Sequence, residues 1–424
     1  MTRRAMITGL GVIGPLGNNA QEMAEAVANG KTGLASLTHF KGKGIPATAV
    51  GEVLTLQVEE LKTRYPMTRL DYDRKVFLAL VAAEEALRSA GIYANEKVLE
   101  KTGLNLGTSL ESFFIHQLLK YSPNTFDLPR FLDGYLAVDK KKRCLLQTPL
   151  DRPSNVVAKS LHLGGPTWVN CSACASGTQS IGHTSRLVRQ GRLDIALAGG
   201  SDSMLNPLGL GGFSVLGALA PEGKDPKRAC RPFDKSREGT VLGEGAAFFV
   251  IEEYAHAKAR GAKPIAEILG YGASLDAQHI SDPCEDGRGA IYAMRSALKD
   301  GKVDSDEIDY VSAHGTGTIK NDPMETIAIA EVLGKEKALK TPISSLKSAM
   351  GHLIGASGPV EIAGVLGALK AGVVPATLNL TKKDPECYLD YVPLKPREVK
   401  VRTFLKNSFG LGGQNATVVI SCCE

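Results

Sequence analysis

Two cysteines in a Cys-x-x-Cys spacing, Cys171 and Cys174, lie in the stretch "NCSACASGTQ" at residues 170–179. This spacing fits a redox pair, half of a zinc site, or one nucleophile with a neighbouring bystander. Redox pairs of this kind are typical of shorter, thioredoxin-like chains, and a zinc site needs two further ligands at recognisable spacing. Because the sequence has no second Cys-x-x-Cys and no His-x-His pair, we favour a single nucleophile.

The flanking residues distinguish the two cysteines. The β-prone segment "PTWVN" precedes Cys171, and an apolar stripe at helical spacing follows Cys174 and ends at Gly191. Cys174 is therefore predicted at a strand-to-helix turn, where free N–H groups and the helix dipole should lower the pKa of its thiol. Its small neighbours would let a substrate approach. Cys171 is predicted to end the strand and pack as a small hydrophobic residue.

A nucleophilic thiolate needs a proton acceptor and a group that activates the electrophile, and two histidines have suitable surroundings. His314 in "SAHGTGT" and His352 in "SSLKSAMGHLIGASGPVE" both lie in glycine-rich turns, where a ligand can approach the backbone closely. With Cys174 they form a candidate catalytic constellation. The other histidines are predicted to be structural or exposed, namely His39, His116, His162, His183, His256 and His279.

The elements that position these residues alternate between strands and helices along the whole chain. A helix is predicted over residues 73–90, and no linker, tandem repeat or low-complexity segment interrupts the alternation. The pattern predicts an α/β fold of layered sheets covered by helices. Residues 121–150 are the least periodic, and the basic run 140–143 within them is predicted to be a solvated loop. Buried strands are predicted at residues 4–8, 194–198, 245–251, 308–312 and 416–420.

The N-terminal segment "TGLGVIGPLG" contains the Gly-x-Gly-x-x-Gly spacing of a dinucleotide-binding loop after a predicted strand. Pro15 and Gly17 prolong the loop past the point where a helix should begin, and Asn18 or Asn19 is a better helix cap. About twenty residues further on, where an acid should hold the ribose, "KTGLASLTHF" has no Asp or Glu. A dinucleotide-dependent oxidoreductase is therefore a disfavoured alternative.

Composition narrows the class and the location. The chain has 424 residues, 43% of them hydrophobic and 22% charged, which is typical of a globular protein. The net charge of +5 comes without repeated basic and aromatic clusters, so we expect no nucleic-acid partner, although a basic face could attract an acidic protein. Glycines and Pro15 interrupt the first apolar stretch, so we expect no signal-peptide core there. No apolar segment is long enough to span a membrane. Scattered cysteines, with Cys422 and Cys423 adjacent, indicate a reducing cytoplasm.

Six motifs, in chain order, cover nearly the whole sequence: "ITGLGVIGPLGN", "CSACASG", "RPFDKSREGTVLGEGA", "AHGTGTIKNDPMET", "SSLKSAMGHLIGASGPVE" and "NSFGLGGQN". With them the chain resembles the elongating β-ketoacyl-[acyl-carrier-protein] synthases, the fatty-acid and type II polyketide condensing enzymes of the thiolase-like superfamily. The resemblance implies one compact catalytic unit of two similar α/β halves, with layered mixed sheets and both buried and covering helices. The halves would be about 1–255, with the nucleophile, and 256–424, with both histidines.

The resemblance also implies a reaction. Cys174 would receive an acyl chain from a carrier protein, and the backbone N–H groups of Cys174 and Leu411 would hold the oxyanion. His314 and His352 would promote loss of CO2 from malonyl-carrier protein and stabilise the enolate, whose carbon attacks the acyl-Cys174 thioester. Neither a metal nor an organic cofactor is implied, because the substrates are carried on phosphopantetheine.

Further residues match supporting positions of the family. Lys347 and Glu361 match a charged pair that holds the site together, and Thr316 and Thr318 match residues that bind the phosphopantetheine arm. Leu411 stands where many relatives carry a gating Phe. The acyl pocket and its gate would involve Leu110, which matches the residue that limits pocket depth, together with Phe409 and Leu411.

The expected partners are an acidic acyl carrier protein and a second ketosynthase-like chain. Basic residues near the pocket mouth would receive the carrier, with Arg69, Arg74, Lys75 and Arg231 as candidates. The dimer would form with an identical chain or with a chain-length factor. A non-catalytic chain-length factor is itself an alternative reading, which Cys174 disfavours because such subunits typically lack the nucleophile. Residues 112–150 have no clear match, so fatty-acid, polyketide and polyene chains stay open as substrates.

Overall fold

The computed structural model describes residues 3–39, 49–113, 128–137, 147–221, 223 and 225–423. Strands and helices alternate through these ranges. The strands are β1 (Ala5–Ile13), β2 (Leu34–Ser36), β3 (Ala49–Gly51), β4 (Gly103–Gly107), β5 (Ser112–Phe113), β6 (Gln147–Thr148), β7 (Thr167–Asn170), β8 (Ile195–Ser203), β9 (Glu244–Glu253), β10 (Ala266–Leu275), β11 (Tyr310–Ser312), β12 (Ile343–Ser344), β13 (Val373–Val374), β14 (Arg397–Glu398), β15 (Thr403–Gly410) and β16 (Gln414–Cys422).

The helices cover both faces of these strands. They are α1 (Ala20–Ala28), α2 (Val58–Arg64), α3 (Arg74–Ser89), α4 (Glu96–Leu99), α5 (Leu128–Ala137), α6 (Arg152–Ser160), α7 (Ser176–Arg189), α8 (Pro207–Val215), α9 (Tyr254–Ala259), α10 (Arg288–Gly301), α11 (Asn321–Leu333), α12 (Lys335–Ala338), α13 (Lys347–Met350) and α14 (Ser357–Lys370). Short 3₁₀ turns at Ala173–Ala175 and Ile354–Ala356 lead directly into α7 and α14.

One large sheet has the strand order β12-β11-β15-β16-β10-β1-β9-β8-β4-β7. The antiparallel pairing of β1 with β10 lies at its centre. Outward from β1 the chain makes two antiparallel pairings, β1-β9 and β9-β8, and then two parallel ones, β8-β4 and β4-β7. Outward from β10 the same series recurs as β10-β16, β16-β15, β15-β11 and β11-β12. The mixed α/β sheet is confirmed, and its two sides share one topology.

Two helices are buried between the two sides of this sheet. Helix α7 contacts β4 and β8 on one side and β10 and β16 on the other, and α14 contacts β9 and β15. Helices α3 and α10 cover the outer faces, α3 against β1, β8 and β9, and α10 against β10 and β16. Because α14 is enclosed, eleven of its fourteen residues are buried and it shows no polar stripe.

The first turns of α7 and α14 touch each other. A Cβ atom added at Gly177 would lie 2.4 Å from the carbonyl oxygen of Gly355, so only glycine allows this approach. The 3₁₀ turns before the two helices are alike, since Ala173 has φ +46° and Ile354 has φ +48°. The helix starts of the two sides therefore bring the sequence neighbourhoods of Cys174 and His352 together.

The glycine-rich N-terminal segment is part of the sheet. Gly11 lies inside β1, where an added Cβ would be 2.1 Å from the carbonyl oxygen of Ala82 in α3. The glycine therefore permits strand-to-helix packing, and this segment is not a loop that could cradle a pyrophosphate. Asn19 caps α1 by accepting a hydrogen bond from the backbone N–H of Glu22, as the sequence predicts.

Some expectations fall on other parts of the chain. His116 and the basic run 140–143 lie outside the described residues. The proposed boundary between residues 255 and 256 falls inside α9 and stays a prediction. In the ranges that the structure describes, no helix combines the length and apolar character needed to cross a membrane.

Candidate active site

Cys174 lies in the 3₁₀ turn between the end of β7 and the start of α7, which confirms the predicted strand-to-helix turn. Its side chain is buried, with 4% of the residue exposed. The sulfur is 3.0 Å from Nε2 of His352. Two backbone N–H groups, those of Cys174 itself and Leu411, also interact with the sulfur. The sulfur therefore faces a ring nitrogen and two backbone donors.

The state of the thiol differs from the sequence prediction. Burial raises the pKa of the Cys174 thiol to about 11, and the two N–H groups and the charge of Lys347 only partly oppose that rise. The prediction of a lowered pKa is wrong because the sulfur is enclosed, and loss of solvation outweighs the donors at the start of α7. The resting site therefore holds a protonated thiol, which needs a base to become a nucleophile.

His352 is placed to act as that base. Its Nδ1 is 2.8 Å from Oγ of Ser357, which also accepts the backbone N–H of Leu353. Burial, with the nearby charges of Lys347 and Lys406, lowers the pKa of His352 well below 6.5, so the ring is neutral at pH 7. With its proton on Nδ1, the ring presents the lone pair of Nε2 to the thiol of Cys174.

His314 follows β11 and meets His352 ring to ring. The two ring centroids are 5.3 Å apart, and the ring planes are inclined at 82°. Burial is the largest cause that lowers the pKa of His314 well below 6.5, followed by the charge of Lys347. Among the described residues, the buried Nδ1 of His314 has no hydrogen-bond partner. His314 also lines the cavity next to Cys174, so its neutral ring is placed to bond a substrate atom.

A buried charge network supports the loop that carries His314. The ammonium of Lys347 lies 2.6 Å from Oε1 of Glu361 and donates to the carbonyl oxygen of His314 at 2.7 Å. Lys406 lies 2.5 Å from the other oxygen of Glu361. Glu325 accepts the backbone N–H of His314 at 2.8 Å and that of Gly315 at 2.7 Å. The predicted pair of Lys347 and Glu361 is thus half of a four-residue network.

Sequence reasoning missed Lys406 and Glu325. A lysine inside the apolar strand segment "FLKNSFG" was a usable signal, because an unpaired ammonium is seldom buried. Glu325 lies in the motif "AHGTGTIKNDPMET", but no spacing rule connects it to the backbone of His314.

A cavity of about 360 Å³ opens beside Cys174, His314 and His352. Thr316 and Thr318 line it, and their hydroxyl oxygens are 2.8 Å apart. Its apolar wall consists of Phe213, Leu216, Ile319, Phe409 and Leu411. The structure therefore brings the predicted nucleophile, both histidines, both threonines and both gate residues to one cavity.

Leu110 is not among the residues that line this cavity. Leu110 lies beyond the end of β4, where 56% of the residue is exposed and its carbonyl oxygen accepts from the ammonium of Lys75 at 2.5 Å. The expected role in pocket depth therefore has no support in the described residues, because Leu110 faces outward there.

Two of the four proposed carrier contacts pair with acids inside the protein, so the prediction that they form a docking surface is wrong: Lys75 is buried, and 11% of the Arg74 side chain is exposed. Arg74 binds the buried carboxylate of Glu244 with both Nε and Nη2, at 2.6–3.0 Å. Lys75 is fully buried, with its ammonium 3.3 Å from the carboxylate of Asp73. Both lie at the start of α3, where they satisfy buried acids. Arg69 is exposed and Arg231 is partly exposed.

Arg231 borders a second cavity, of about 400 Å³, together with Arg228 and Lys382.

Of the remaining histidines, His162 and His279 are exposed, and His256 contacts the carboxylate of Glu252 at 2.5 Å. No group of three or more His, Cys, Asp or Glu side chains in the described ranges is arranged to hold a metal ion.

The family models agree with this arrangement of motifs. A model described as "Beta-ketoacyl synthase, N-terminal domain" matches residues 2–257, and its "C-terminal domain" counterpart matches residues 265–381. The chain belongs to the β-ketoacyl synthase family. It is therefore an acyltransferase of the ketosynthase class, and the resemblance found in the sequence is confirmed.

Curated relatives are similar over their full length. A "3-oxoacyl-[acyl-carrier-protein] synthase 2" of Coxiella burnetii is 35% identical, over 99% of this chain and 98% of the relative. A protein named as an actinorhodin polyketide β-ketoacyl synthase, from Streptomyces coelicolor, is 36% identical over 100% of this chain and 90% of its own. The relatives thus include both fatty-acid and polyketide types.

Solved structures have the same fold. A β-ketoacyl synthase from Burkholderia phymatum superposes with a TM-score of 0.86 at 30% identity, and the ishigamide ketosynthase/chain length factor with 0.87 at 32%. A type II polyketide ketosynthase in complex with its acyl-carrier protein superposes with 0.85 at 30%. Each match covers 100% of both chains. The predicted thiolase-like ketosynthase fold is confirmed.

The two buried histidines should make the protein sensitive to acid. Because their pKa values lie well below 6.5 in the folded state, the unfolded chain binds more protons once the pH falls below about 6.5. The free energy of unfolding should then decrease with falling pH, by at most about 1.4 kcal/mol per pH unit for each histidine. Urea unfolding near pH 7.5 and pH 5.5 measures this.

His352→Gln should lose less stability on acidification than the wild type, whereas the exposed control His279→Gln should behave like the wild type. An equal acid-induced loss in His352→Gln and the wild type would contradict the assignment of a neutral buried imidazole.

Proposed function

We propose that this ketosynthase joins an acyl chain on Cys174 to the carbon released by decarboxylation of malonyl-acyl-carrier protein, giving β-ketoacyl-acyl-carrier protein. The main support is the 3.0 Å contact between the thiol of Cys174 and Nε2 of His352, in a cavity that His314 also lines. The product would elongate a fatty-acid, polyketide or polyene chain. A non-catalytic chain-length factor is disfavoured, because Cys174 is present with a base in contact.

The first half-reaction loads the enzyme. Nε2 of His352 accepts the thiol proton while the sulfur of Cys174 attacks the acyl thioester carbonyl. The backbone N–H groups of Cys174 and Leu411 hold the oxyanion that forms. The carbon-sulfur bond to the carrier then breaks, and the carrier thiol leaves with the proton that His352 had accepted.

The second half-reaction makes the carbon-carbon bond. His314 and His352 donate hydrogen bonds to the thioester oxygen of the malonyl group, and CO2 leaves as the enolate forms. The enolate carbon attacks the acyl group on Cys174, the carbon-sulfur bond to Cys174 breaks, and the departing thiolate takes a proton from water. Ser357 suits both steps, because its hydroxyl can accept from or donate to Nδ1 of His352 and so permits either tautomer.

The remaining assignments belong to the same proposal. Thr316 and Thr318 bind the phosphopantetheine arm, and Phe409 and Leu411 gate the cavity, with positive φ at Gly412 beside them. The enzyme needs no metal or organic cofactor, acts in the cytoplasm, and is built from halves 1–255 and 256–424. Solved relatives pair ketosynthases with an acyl-carrier protein or a chain length factor, and we extend both partners to this chain.

The carrier protein is proposed to dock on a basic surface around Arg231. Backbone contacts join two loops there, since Lys235 donates its N–H to the carbonyl oxygen of Lys382 at 3.0 Å. Gly317, between the arm-binding threonines, packs against the backbone of Arg231. This surface therefore adjoins the catalytic cavity, and Arg69 is a separate exposed candidate. The cations of the surface are Lys227, Arg228, Arg231, Lys235, Lys382 and Lys383.

The nucleophile assignment predicts where the acyl group attaches. Incubation of the enzyme with acyl-carrier protein should acylate Cys174, because it is the one thiol in the described ranges with a histidine in contact. Cys174→Ala should abolish both acylation and condensation, while Cys171→Ala should keep most activity, since Cys171 bonds the carbonyl oxygen of Ser109 instead. Peptide mapping by mass spectrometry reads the site. Acyl transfer to Cys171 would refute the proposed function.

The two histidines should separate the half-reactions. His352→Ala should slow self-acylation by about 10² to 10⁴-fold, because a buried thiol with a pKa near 11 loses its base. His314→Ala should change self-acylation only a few-fold, because His314 does not contact the sulfur. Both variants should lose most malonyl decarboxylation, measured as CO2 release. Equal self-acylation rates in the two variants would contradict the role of His352.

The docking proposal predicts a salt-sensitive change in KM. Combined Arg228→Glu and Arg231→Glu should raise the KM for acyl-carrier protein about tenfold at low salt, and less at high salt, because exposed ion pairs are weak and screened. The KM for an acyl-pantetheine thioester should not change. The control variant is Lys263→Glu. Lys263 precedes β10, at the end of that strand far from the cavity, so its charge should not affect docking there. Equal effects on both substrates would argue against docking.

A further inference from the structure

Two buried lysines share one carboxylate behind the histidines. Glu361, from α14, lies 2.6 Å from the ammonium of Lys347 through Oε1 and 2.5 Å from that of Lys406 through Oε2. Both lysine side chains are fully buried. A single carboxylate neutralises only one ammonium. The second buried ammonium therefore needs a further partner to offset its loss of solvation.

The second partner is the loop that carries His314. The ammonium of Lys406 donates to the carbonyl oxygen of Ala313 at 3.2 Å, while that of Lys347 donates to the carbonyl oxygen of His314 at 2.7 Å. Two successive carbonyl groups are therefore each held by a different lysine. On the same loop, the N–H groups of His314 and Gly315 are both held by Glu325.

Lys406 also connects the two carboxylates of the network. Asn407, the next residue, donates from its side chain to Glu325 at 3.3 Å and accepts from the ammonium of Lys406 at 2.5 Å through its carbonyl oxygen. With two lysines and two glutamates, the buried charges can balance. Loss of Lys406 would leave one carboxylate without compensation, which is costly in a site closed to water.

We propose that Lys406 is a positioning residue for His314: it fixes the loop after β11 through the carbonyl oxygen of Ala313 and through Glu361, without touching substrate. This inference rests on the proposed function and adds to it a residue that works through another. Lys406 is also one of the charges that lower the pKa values of both histidines. A neutral residue there should therefore release the loop and raise the pKa of each imidazole.

The test compares Lys406→Met with Leu405→Ala. Leu405 is equally buried in β15 but packs on the opposite face of the sheet, so it controls for lost packing without a change in charge. For each variant, near-UV circular dichroism reports folding, and self-acylation of Cys174 and malonyl decarboxylation are measured separately between about pH 5 and pH 9.

Lys406→Met should lose about 10- to 100-fold in decarboxylation kcat, because a small displacement of a catalytic group is expensive. Self-acylation near pH 7.5 should fall only a few-fold, and KM for malonyl-carrier protein should change little. The acid limb of the decarboxylation profile should move to higher pH by about 0.5 to 1 unit, since a nearby positive charge is gone. Leu405→Ala should leave that limb in place, and Lys406→Arg should restore it.

A folded Lys406→Met with wild-type decarboxylation and an unmoved acid limb would overturn the proposal. If Lys406→Met does not fold, Lys406→Gln, which keeps an N–H donor of similar length without the charge, gives the same comparison. Failure of both variants to fold would also overturn the proposal, because Lys406 would then be required for folding of the whole chain and not for the position of His314. Acylation and decarboxylation by the wild-type enzyme test the proposed function itself. A failure of the proposed function is therefore distinguishable from a failure of the positioning role of Lys406.

Discussion

The contact between the first turns of α7 and α14 is the constraint on which the site depends. Cys174 precedes one helix and His352 precedes the other, and the helices belong to opposite sides of the sheet. The sulfur and the ring nitrogen can be 3.0 Å apart only because Gly177 lets the backbones approach without a side chain between them. The proposed nucleophile and base are thus positioned by packing of helix ends and not by neighbouring positions in the sequence.

Burial shapes the chemistry that follows from this contact. It raises the thiol pKa of Cys174 and lowers the pKa values of His314 and His352, so the resting site is neutral on all three groups. The formal charges lie one layer behind, in the network of Lys347, Glu361 and their partners. A site of this kind can bind a thioester without first paying for desolvation of an exposed thiolate.

Sequence reasoning reached the strands, the helix over 73–90 and the three residues Cys174, His314 and His352 that meet at one cavity, because these depend on periodicity and on local motifs. Four of the five strands are longer than predicted, since small buried residues such as Gly11 carry no apolar signal, whereas β11 is two residues shorter. The low exposure of Arg74, the direction of the Cys174 pKa and the partners of Lys406 could not be predicted. Each depends on what the rest of the chain places around the residue, which no local pattern records.

The order of the strands determines when the site can form during synthesis of the chain. Leu411 and Lys406 lie on or beside β15, and β15 is completed by pairing with β16, the last strand of the large sheet. The ribosome adds Cys174 to the chain more than two hundred residues before Lys406 and Leu411. A chain that is still growing therefore carries an ordinary thiol, and acyl-transfer competence arises only when the C-terminal strands have joined.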